Sequence, residues 1–214
     1  MLTLWGRKSA FNVQKVLWLL LELGTKFEHR EVGGKFGGLD DPAFLALNPH
    51  GRIPVLKDEK AVVWESHTIL RYLAASYGSR AFWSEDPATR SIADRWMDWS
   101  QSTLQPSFMR LFWGYFRTPP EQRCQSAIES AQEECERHFM LLESQLKKSP
   151  FLGGHSFSLA DIPAGTSLYR YSEMGLGVSI PPCVGAWYAR LRERPAYQSS
   201  VMISFSDLRG RLEF

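Results

Sequence analysis

The chain has 214 residues, 44% of them hydrophobic, and its 25 basic and 23 acidic side chains leave a formal charge of +2. This length allows one large domain or two modest ones with a buried core. Because the charges are dispersed, we expect no nucleic-acid partner, and the apolar runs are too short to predict a membrane partner.

Three cysteines, Cys124, Cys135 and Cys183, show neither a Cys-X-X-Cys pair nor the spacing of a zinc finger. The opening residues, MLTLWGRKSAFN, lack the order of a secretory signal peptide, because their basic residues follow a short strand-like start. These features predict a cytoplasmic protein with no metal site and no disulfide framework.

The first 78 residues alternate strand and helix patterns. LTLW predicts a short strand, and the apolar positions from Val13 to Leu21 recur at helical spacing until Gly24. KFEHREV weakly predicts a second strand, and a short helix is predicted around PAFLAL after the loop GGKFGG.

Two further strands and a helix complete this half. RIPVLKD and AVVWES predict strands joined by a tight charged turn, and SHTILRYLAASYG predicts a helix that ends at Gly78. The predicted order is therefore β-α-β-α-β-β-α. Pro54 falls inside the first of these strands, although proline cannot donate to a sheet ladder.

Strand patterns disappear after SRAFWSEDP, residues 79–87, which has the composition of a linker. The pattern predicts a long amphipathic helix over 88–116, bent at Pro106, and a second one over 121–148. We therefore predict two domains, 1–78 with mixed structure and 88–214 with helices only.

Two shorter helices are predicted near the C-terminus. In SFSLADI, Ser158 stands three residues before Asp161, as in a capping box. AWYARLRERP predicts a last helix that stops before Pro195.

A thioredoxin-like half followed by a helical half, with NPHGRIPVL, ESHTILRYL and SLADI in that order, resembles the cytosolic glutathione S-transferases over essentially the whole chain. NVQKVLWLLLELG and VGGKFGG further resemble bacterial, serine-type (theta-like) members of that superfamily. The resemblance implies a homodimeric detoxification enzyme. It would activate the thiol of its co-substrate glutathione for attack on a hydrophobic electrophile, without a metal.

The resemblance also implies a cis bond between Ile53 and Pro54, which would let the Ile53 backbone pair with the cysteinyl part of glutathione. The alternative is an ordinary edge-strand proline. Glu65 and Ser66 begin a predicted helix, where they would bind the ammonium and carboxylate of the γ-glutamyl group. Their alternative role is to cap the helix.

The glycyl carboxylate of glutathione needs a basic partner. Arg52 matches the family best, while Lys35 and His50 lie in neighbouring loops. The alternative for Lys35 and His50 is that they are solvated surface charges.

The thiol of glutathione must be held as a thiolate near neutral pH. In the family, the loop before the first helix supplies the catalytic Ser, Tyr or Cys, and here Ser9 is the candidate. The sequence departs from the family because Ala10 occupies the matching position. Asn12, with its side-chain amide, is therefore a rival, and both residues have helix capping as an alternative role.

In this architecture the second substrate would lie between the domains. Met109, Phe112 and Trp113 are candidates for its pocket, although aromatic residues at helical spacing more often form core. Arg95 and Arg110 are alternative contacts for an acidic group. Rival functions are glutathione-dependent peroxidase, dehalogenase or isomerase activity, or a non-catalytic ligand-binding or interaction role.

Overall fold

A four-stranded sheet with helices packed on it forms the N-terminal half of the computed structural model, which describes residues 1–213. Its elements are β1 (Leu2–Trp5), α1 (Phe11–Glu22), β2 (Phe27–Arg30), α2 (Pro42–Leu45), β3 (Val55–Lys57), β4 (Val62–Trp64) and α3 (Ser66–Tyr77). The predicted order of strands and helices is confirmed.

The strand order in the sheet is β2-β1-β3-β4, with β1 parallel to β2 and antiparallel to β3. β3 also runs antiparallel to β4. The central strands are apolar because helices cover them: Leu4 and Leu56, which face each other in the register, are fully buried. The sheet therefore gives a rigid base for the loops at its edge.

The C-terminal half is helical, as predicted. It consists of α4 (Pro87–Trp99), α5 (Gln105–Leu111), α6 (Gln125–Leu146), α7 (Asp161–Glu173), α8 (Pro182–Arg192) and α9 (Pro195–Ser200). Wider π-helical turns at Ser100–Leu104 and Phe112–Arg117 flank α5, so the predicted long helix is interrupted next to Pro106.

One predicted boundary is wrong and one helix was not predicted, and proline explains both. Pro54 lies just before β3, outside the ladder, because it has no N–H to donate. Pro195 was expected only to stop a helix, but it also begins α9, since the first helical residue needs no N–H acceptor.

Helix α1 joins the two halves and is buried on nearly every side. Its residues from Val13 to Leu20 are buried, and α1 packs against α3, α7 and α9. Glu22 on α1 accepts two hydrogen bonds of 2.7 Å from Arg194, and Trp18 Nε1 donates to the same carboxylate over 2.9 Å. The C-terminal end of α1 is consequently held against the helical half.

No helix among residues 1–213 combines the length and the apolar character needed to cross a membrane.

Candidate active site

A cavity of about 400 Å³ opens where the two halves meet, and we call it the central cavity. The N-terminal half contributes four of the predicted site residues to its wall: Ser9, Asn12, Arg52 and Ile53. The helical half contributes the three predicted for the second substrate: Met109, Phe112 and Trp113. The structure thus brings together the proposed hydrogen-bond donors to the glutathione thiol and the proposed apolar pocket.

The loop between β1 and α1 positions Ser9 beside the start of α1. Gly6 in this loop has a φ of 143°, and a Cβ there would lie 2.5 Å from Val13 and 3.2 Å from the Cβ of Ile53. Only glycine lets the loop pass this close to both residues. Ser9, half-buried, and Ile53 are therefore held on one cavity wall.

Ala10 occupies the N-cap position of α1 and offers no side-chain hydrogen bond. Among the described residues, the backbone N–H groups of Phe11, Asn12 and Val13 have no acceptor, as expected for a first helical turn. Ser9 and Asn12 therefore do not cap this helix, and the free amides give the cavity a partly positive edge.

Asn12 also lines the central cavity, and its Oδ1 is buried without a hydrogen-bond partner in the described part of the chain. An unpaired buried amide is costly, and such groups cluster where a ligand completes them. Oδ1 can only accept, so a hydrogen bond to the sulfur would come from Nδ2, and through that donor Asn12 remains a rival to Ser9.

The peptide bond between Ile53 and Pro54 is cis, as expected. Asn48 shapes the loop before it, because its Nδ2 donates to the carbonyl of Arg52 over 2.8 Å and its Oδ1 accepts from the His50 backbone over 3.1 Å. Sequence reasoning assigned no role to Asn48. Arg52 is exposed at the rim of the central cavity.

Lys35 and His50 are both exposed, and neither lies in the wall of the central cavity. Lys35 lines an adjoining outer cavity of about 520 Å³ that shares Ser9 and Arg7 with the central one. The ring of His50 packs edge-on against Trp64 at 5.2 Å. Lys35 is thus near the site, while His50 packs against β4.

Glu65 and Ser66 lie outside both cavities, at the junction of β4 and α3. Glu65 has a φ of +66°, which is unusual for a residue with a side chain and is typical of strained ligand-binding positions. Ser66 is 5% exposed and is the first residue of α3, so it does not occupy the N-cap position. The capping alternative for Ser66 is therefore wrong.

Comparison with known proteins assigns the chain to a family. Residues 1–75 match the model of the glutathione S-transferase N-terminal domain, and residues 104–195 match that of the C-terminal domain. Glutathione S-transferase GstB of Escherichia coli is 41% identical over 208 residues, which cover 96% of this chain and all of GstB.

The chain belongs to the glutathione S-transferase family. A theta-class glutathione S-transferase from Xanthomonas axonopodis pv. citri, solved with glutathione bound, superimposes with a TM-score of 0.90 at 44% identity, covering 95% of this chain and 98% of that one. The disulfide-bond oxidoreductase YfcG of Escherichia coli is 30% identical over 86% of this chain and 87% of its own length. The resemblance inferred from sequence, including its bacterial, theta-like character, is confirmed.

Several arginines of this glutathione S-transferase reach the central cavity without having been predicted. Arg7, Arg117 and Arg170 line it, whereas the predicted Arg95 and Arg110 are exposed outside it. No spacing pattern marks the three, because they come from a loop and from two separate helical segments. Only the fold brings them together.

Arg170 on α7 reaches across to the loop that holds Ser9. Its Nη2 donates to the backbone oxygen of Ser9 over 2.6 Å and to Oε1 of Gln14 over 3.1 Å. Arg170 is therefore a positioning residue for the Ser9 loop.

A buried lysine lies close to the Glu65 turn. Lys15 is 1% exposed, and its Nζ donates to Oε1 of Gln105 over 2.6 Å and lies 3.2 Å from Nε2 of His67. Burial lowers the pKa of Lys15 to about 7, although the charge of Glu65 opposes this shift. Burial and the nearby Lys15 and Arg71 charges lower the pKa of His67 to about 2, so His67 is neutral and its Nε2 can accept from Lys15.

Lys15→Met should change how stability depends on pH. The pKa of Lys15 is about 7 in the folded protein against 10.5 ordinarily, so between these values the unfolded chain binds the proton and the folded chain does not. Stability of the wild type therefore rises with pH through this window, by up to about 1.4 kcal/mol per pH unit. The methionine variant lacks this rise.

Urea unfolding of both proteins at pH 7, 8 and 9 measures the difference. We expect the variant's free energy of unfolding, relative to the wild type, to fall as pH increases. Lys26→Met, at an exposed position, is the control and should follow the wild type. A constant difference between Lys15→Met and the wild type would contradict the depressed pKa.

Among the described residues, no group of three or more His, Cys, Asp or Glu side chains is arranged to hold a metal ion.

Proposed function

We propose that this protein is a glutathione transferase that activates the thiol of glutathione for attack on an electrophile bound in the central cavity. The observation that supports this most directly is the shared wall of that cavity. Ser9 and Asn12 line it beside the free amides of α1, opposite the apolar side chains of Met109 and Phe112. The thiol and the electrophile would therefore meet in one desolvated space.

Glutathione would lie along the sheet edge, with its cysteinyl backbone paired to Ile53 next to Pro54. Arg52, at the rim, is the proposed partner of the glycyl carboxylate, with Lys35 and His50 as additional basic contacts. Lys35 is supported by its position on the outer cavity and His50 only by its place in the Arg52 loop.

The γ-glutamyl group would bind at Glu65 and Ser66. The strained backbone of Glu65 and the position of Ser66 at the start of α3 both support an anion-binding turn there. The carboxylate of Glu65 would take the ammonium group of glutathione.

In the reaction, the thiol first loses its proton to solvent, and the sulfur becomes a thiolate. The Ser9 hydroxyl donates a hydrogen bond to the sulfur and keeps its own proton, while the amide edge of α1 favours the negative charge. The thiolate then forms a carbon–sulfur bond with the electrophile. The leaving group departs with the bonding electron pair.

We further propose a cytoplasmic homodimer with a role in detoxification, whose domains are 1–78 and 88–214. The end of α3 at Tyr77 and the start of α4 at Pro87 support the domain boundary. Exposed apolar side chains of Val62 and Trp64 on β4 support a covered surface in a dimer. Three free cysteines support a reducing compartment.

The ultraviolet absorbance of the thiolate of bound glutathione, titrated against pH, tests the proposed function. We expect a pKa at least one unit below that of free glutathione, worth about 1.4 kcal/mol, together with conjugation of 1-chloro-2,4-dinitrobenzene. Binding with an unshifted pKa would contradict thiol activation. A protein that binds no glutathione at all would contradict the whole proposal.

Ser66→Ala tests the proposed binding site through the affinity for glutathione. We expect weaker glutathione binding, by about tenfold for the loss of one charge-assisted hydrogen bond, with an unchanged unfolding transition. Thr68→Ala, exposed on the same helix, is the control. Equal affinity of Ser66→Ala and the wild type would remove this turn from the site.

A further inference from the structure

The guanidinium of Arg170 is a buried cation in the wall of the central cavity. Arg170 is 3% exposed, and its guanidinium carbon lies 5.4 Å from the ring centroids of Phe112 and Phe205. Arginine is rarely buried this far unless an anion pairs with it. The aromatic neighbours stabilise the charge in part but supply no acceptor.

Its hydrogen bonds leave most of its donors unused. Nη2 serves two neutral acceptors, the backbone oxygen of Ser9 and the side chain of Gln14. In residues 1–213, Nε is buried without a partner and Nη1 makes no hydrogen bond. Donors of a buried charge that lack acceptors are costly, so the site is incomplete without a further group.

The surrounding charges are mostly positive. Burial, and then the charges of Arg7 and Arg117, lower the pKa of Arg170 to about 9, while Asp207 opposes them. Arg170 therefore stays protonated at neutral pH. Because Arg7 and Arg117 line the same cavity, an anion that enters it meets favourable charge from more than one side.

We infer that the electrophilic substrate of this enzyme carries a carboxylate, and that this carboxylate binds Arg170 inside the central cavity. The inference rests on the proposed transferase function and names the class of its second substrate. Both paired N–H edges of a guanidinium include Nη2, which Ser9 and Gln14 already use, so the carboxylate would accept through one oxygen from an unused N–H of Nη1. The apolar part of the substrate would pack on Met109 and Phe112.

The carboxylate takes no part in the bond changes. For an aryl or alkyl halide acid, the glutathione thiolate forms a carbon–sulfur bond at the halogen-bearing carbon. The carbon–halogen bond breaks, and halide leaves with the electron pair. Arg170 also holds the backbone of Ser9, the proposed hydrogen-bond donor to the thiol. The electrophile would therefore be anchored directly beside Ser9.

Two substrates of matched shape test the charge preference. We compare 4-chloro-3-nitrobenzoate with 4-chloro-3-nitrobenzamide, dividing each kcat/KM by its uncatalysed rate constant with glutathione. We expect the acid to be favoured at least tenfold, mainly through a lower KM. Conjugation of the amide with no preference for the acid would overturn the inference while leaving the proposed function intact.

Variants assign the preference to Arg170. Arg170→Met should lower kcat for both substrates, because the Ser9 loop loses its anchor. The same variant should also lose the preference for the acid, so that the normalised kcat/KM values of the two substrates become equal. Arg170→Lys should retain part of that ratio. Arg137→Met, exposed on α6 away from the cavity, should match the wild type. A ratio unchanged in Arg170→Met would overturn the assignment.

A binding measurement decides the question if the protein conjugates nothing or if Arg170→Met does not fold. Calorimetric titration of benzoate and of benzamide into the wild type, in the presence of S-methylglutathione, needs no turnover. We expect benzoate to bind at least tenfold more tightly than benzamide. Equal affinities would overturn the inference, whereas absent conjugation of 1-chloro-2,4-dinitrobenzene would count only against the proposed function.

Discussion

Ser9→Ala should raise the pKa of bound glutathione toward the ordinary thiol value of about 8.5 and reduce kcat at pH 7 by about 100-fold or more. The reason is that alanine cannot replace the hydrogen bond that the Ser9 hydroxyl would donate to the negative sulfur of glutathione in the cavity. Loss of one such donor typically costs about 10²–10³ in kcat. Ser9 lines both the central and the outer cavity, and alanine there would leave no hydroxyl to donate to the sulfur.

Asn12→Ala is the decisive companion to this variant. If Asn12 donates to the sulfur instead of Ser9, the pKa increase appears in Asn12→Ala and not in Ser9→Ala. Thiolate absorbance, titrated on glutathione-saturated protein, separates the two results. Ser144→Ala, which removes an exposed hydroxyl on α6, should leave the titration unchanged and is the control. A pKa of bound glutathione that stays at the wild-type value in both site variants would contradict a role for either side chain.

The sequence was enough to predict most of the fold because local patterns and global packing agree. The apolar run of α1 predicted a helix, and its burial on nearly every side shows why its apolar residues are not confined to one face. The strand pattern of β3 and β4 predicted a hairpin, which the sheet confirms. The prediction failed next to two prolines: Pro54 lies before β3 instead of inside it, and Pro195 begins a helix that was not predicted.

The site could be predicted only where a motif marks it. Ser9, Ile53 and the residues near Met109 were found through the family pattern and the aromatic spacing, and they share one cavity. Arg170 could not be found this way, because its importance depends on α7 crossing the Ser9 loop, a contact between residues 161 positions apart. Buried charges that act across the domain junction leave no periodic signal in the sequence.

Asp161→Ala should destabilise the fold by about 3–5 kcal/mol, because each buried donor left without an acceptor costs about 1–3 kcal/mol. Asp161 is fully buried at the start of α7. Its carboxylate accepts hydrogen bonds from the Leu152 backbone at 2.9 Å, from the Ser158 backbone at 2.9 Å and from Trp187 Nε1 at 3.0 Å. Alanine would leave these buried donors without an acceptor, so the loop before α7 would lose its tie to α8.

Urea unfolding measures this loss, and Asp40→Ala, at an exposed position, is the control. Asp161→Asn keeps one acceptor oxygen and should cost less than alanine. A change below about 1 kcal/mol in Asp161→Ala would mean that water replaces the carboxylate, which its complete burial argues against.

The asparagine variant also tests the charge of Asp161. Burial raises the pKa of Asp161 to about 6 from its ordinary 3.8, although the hydrogen bonds from Leu152, Ser158 and Trp187 oppose the shift. Between these two values the folded protein holds a proton that the unfolded chain releases, so the stability contributed by Asp161 falls as pH rises from about 4 to 6. The side-chain amide introduced by Asp161→Asn does not titrate. The free energy of unfolding of Asp161→Asn, relative to the wild type, should therefore increase from about pH 4 to 6 and stay constant above pH 6. A difference between the two proteins that is constant throughout would show that the hydrogen bonds outweigh burial.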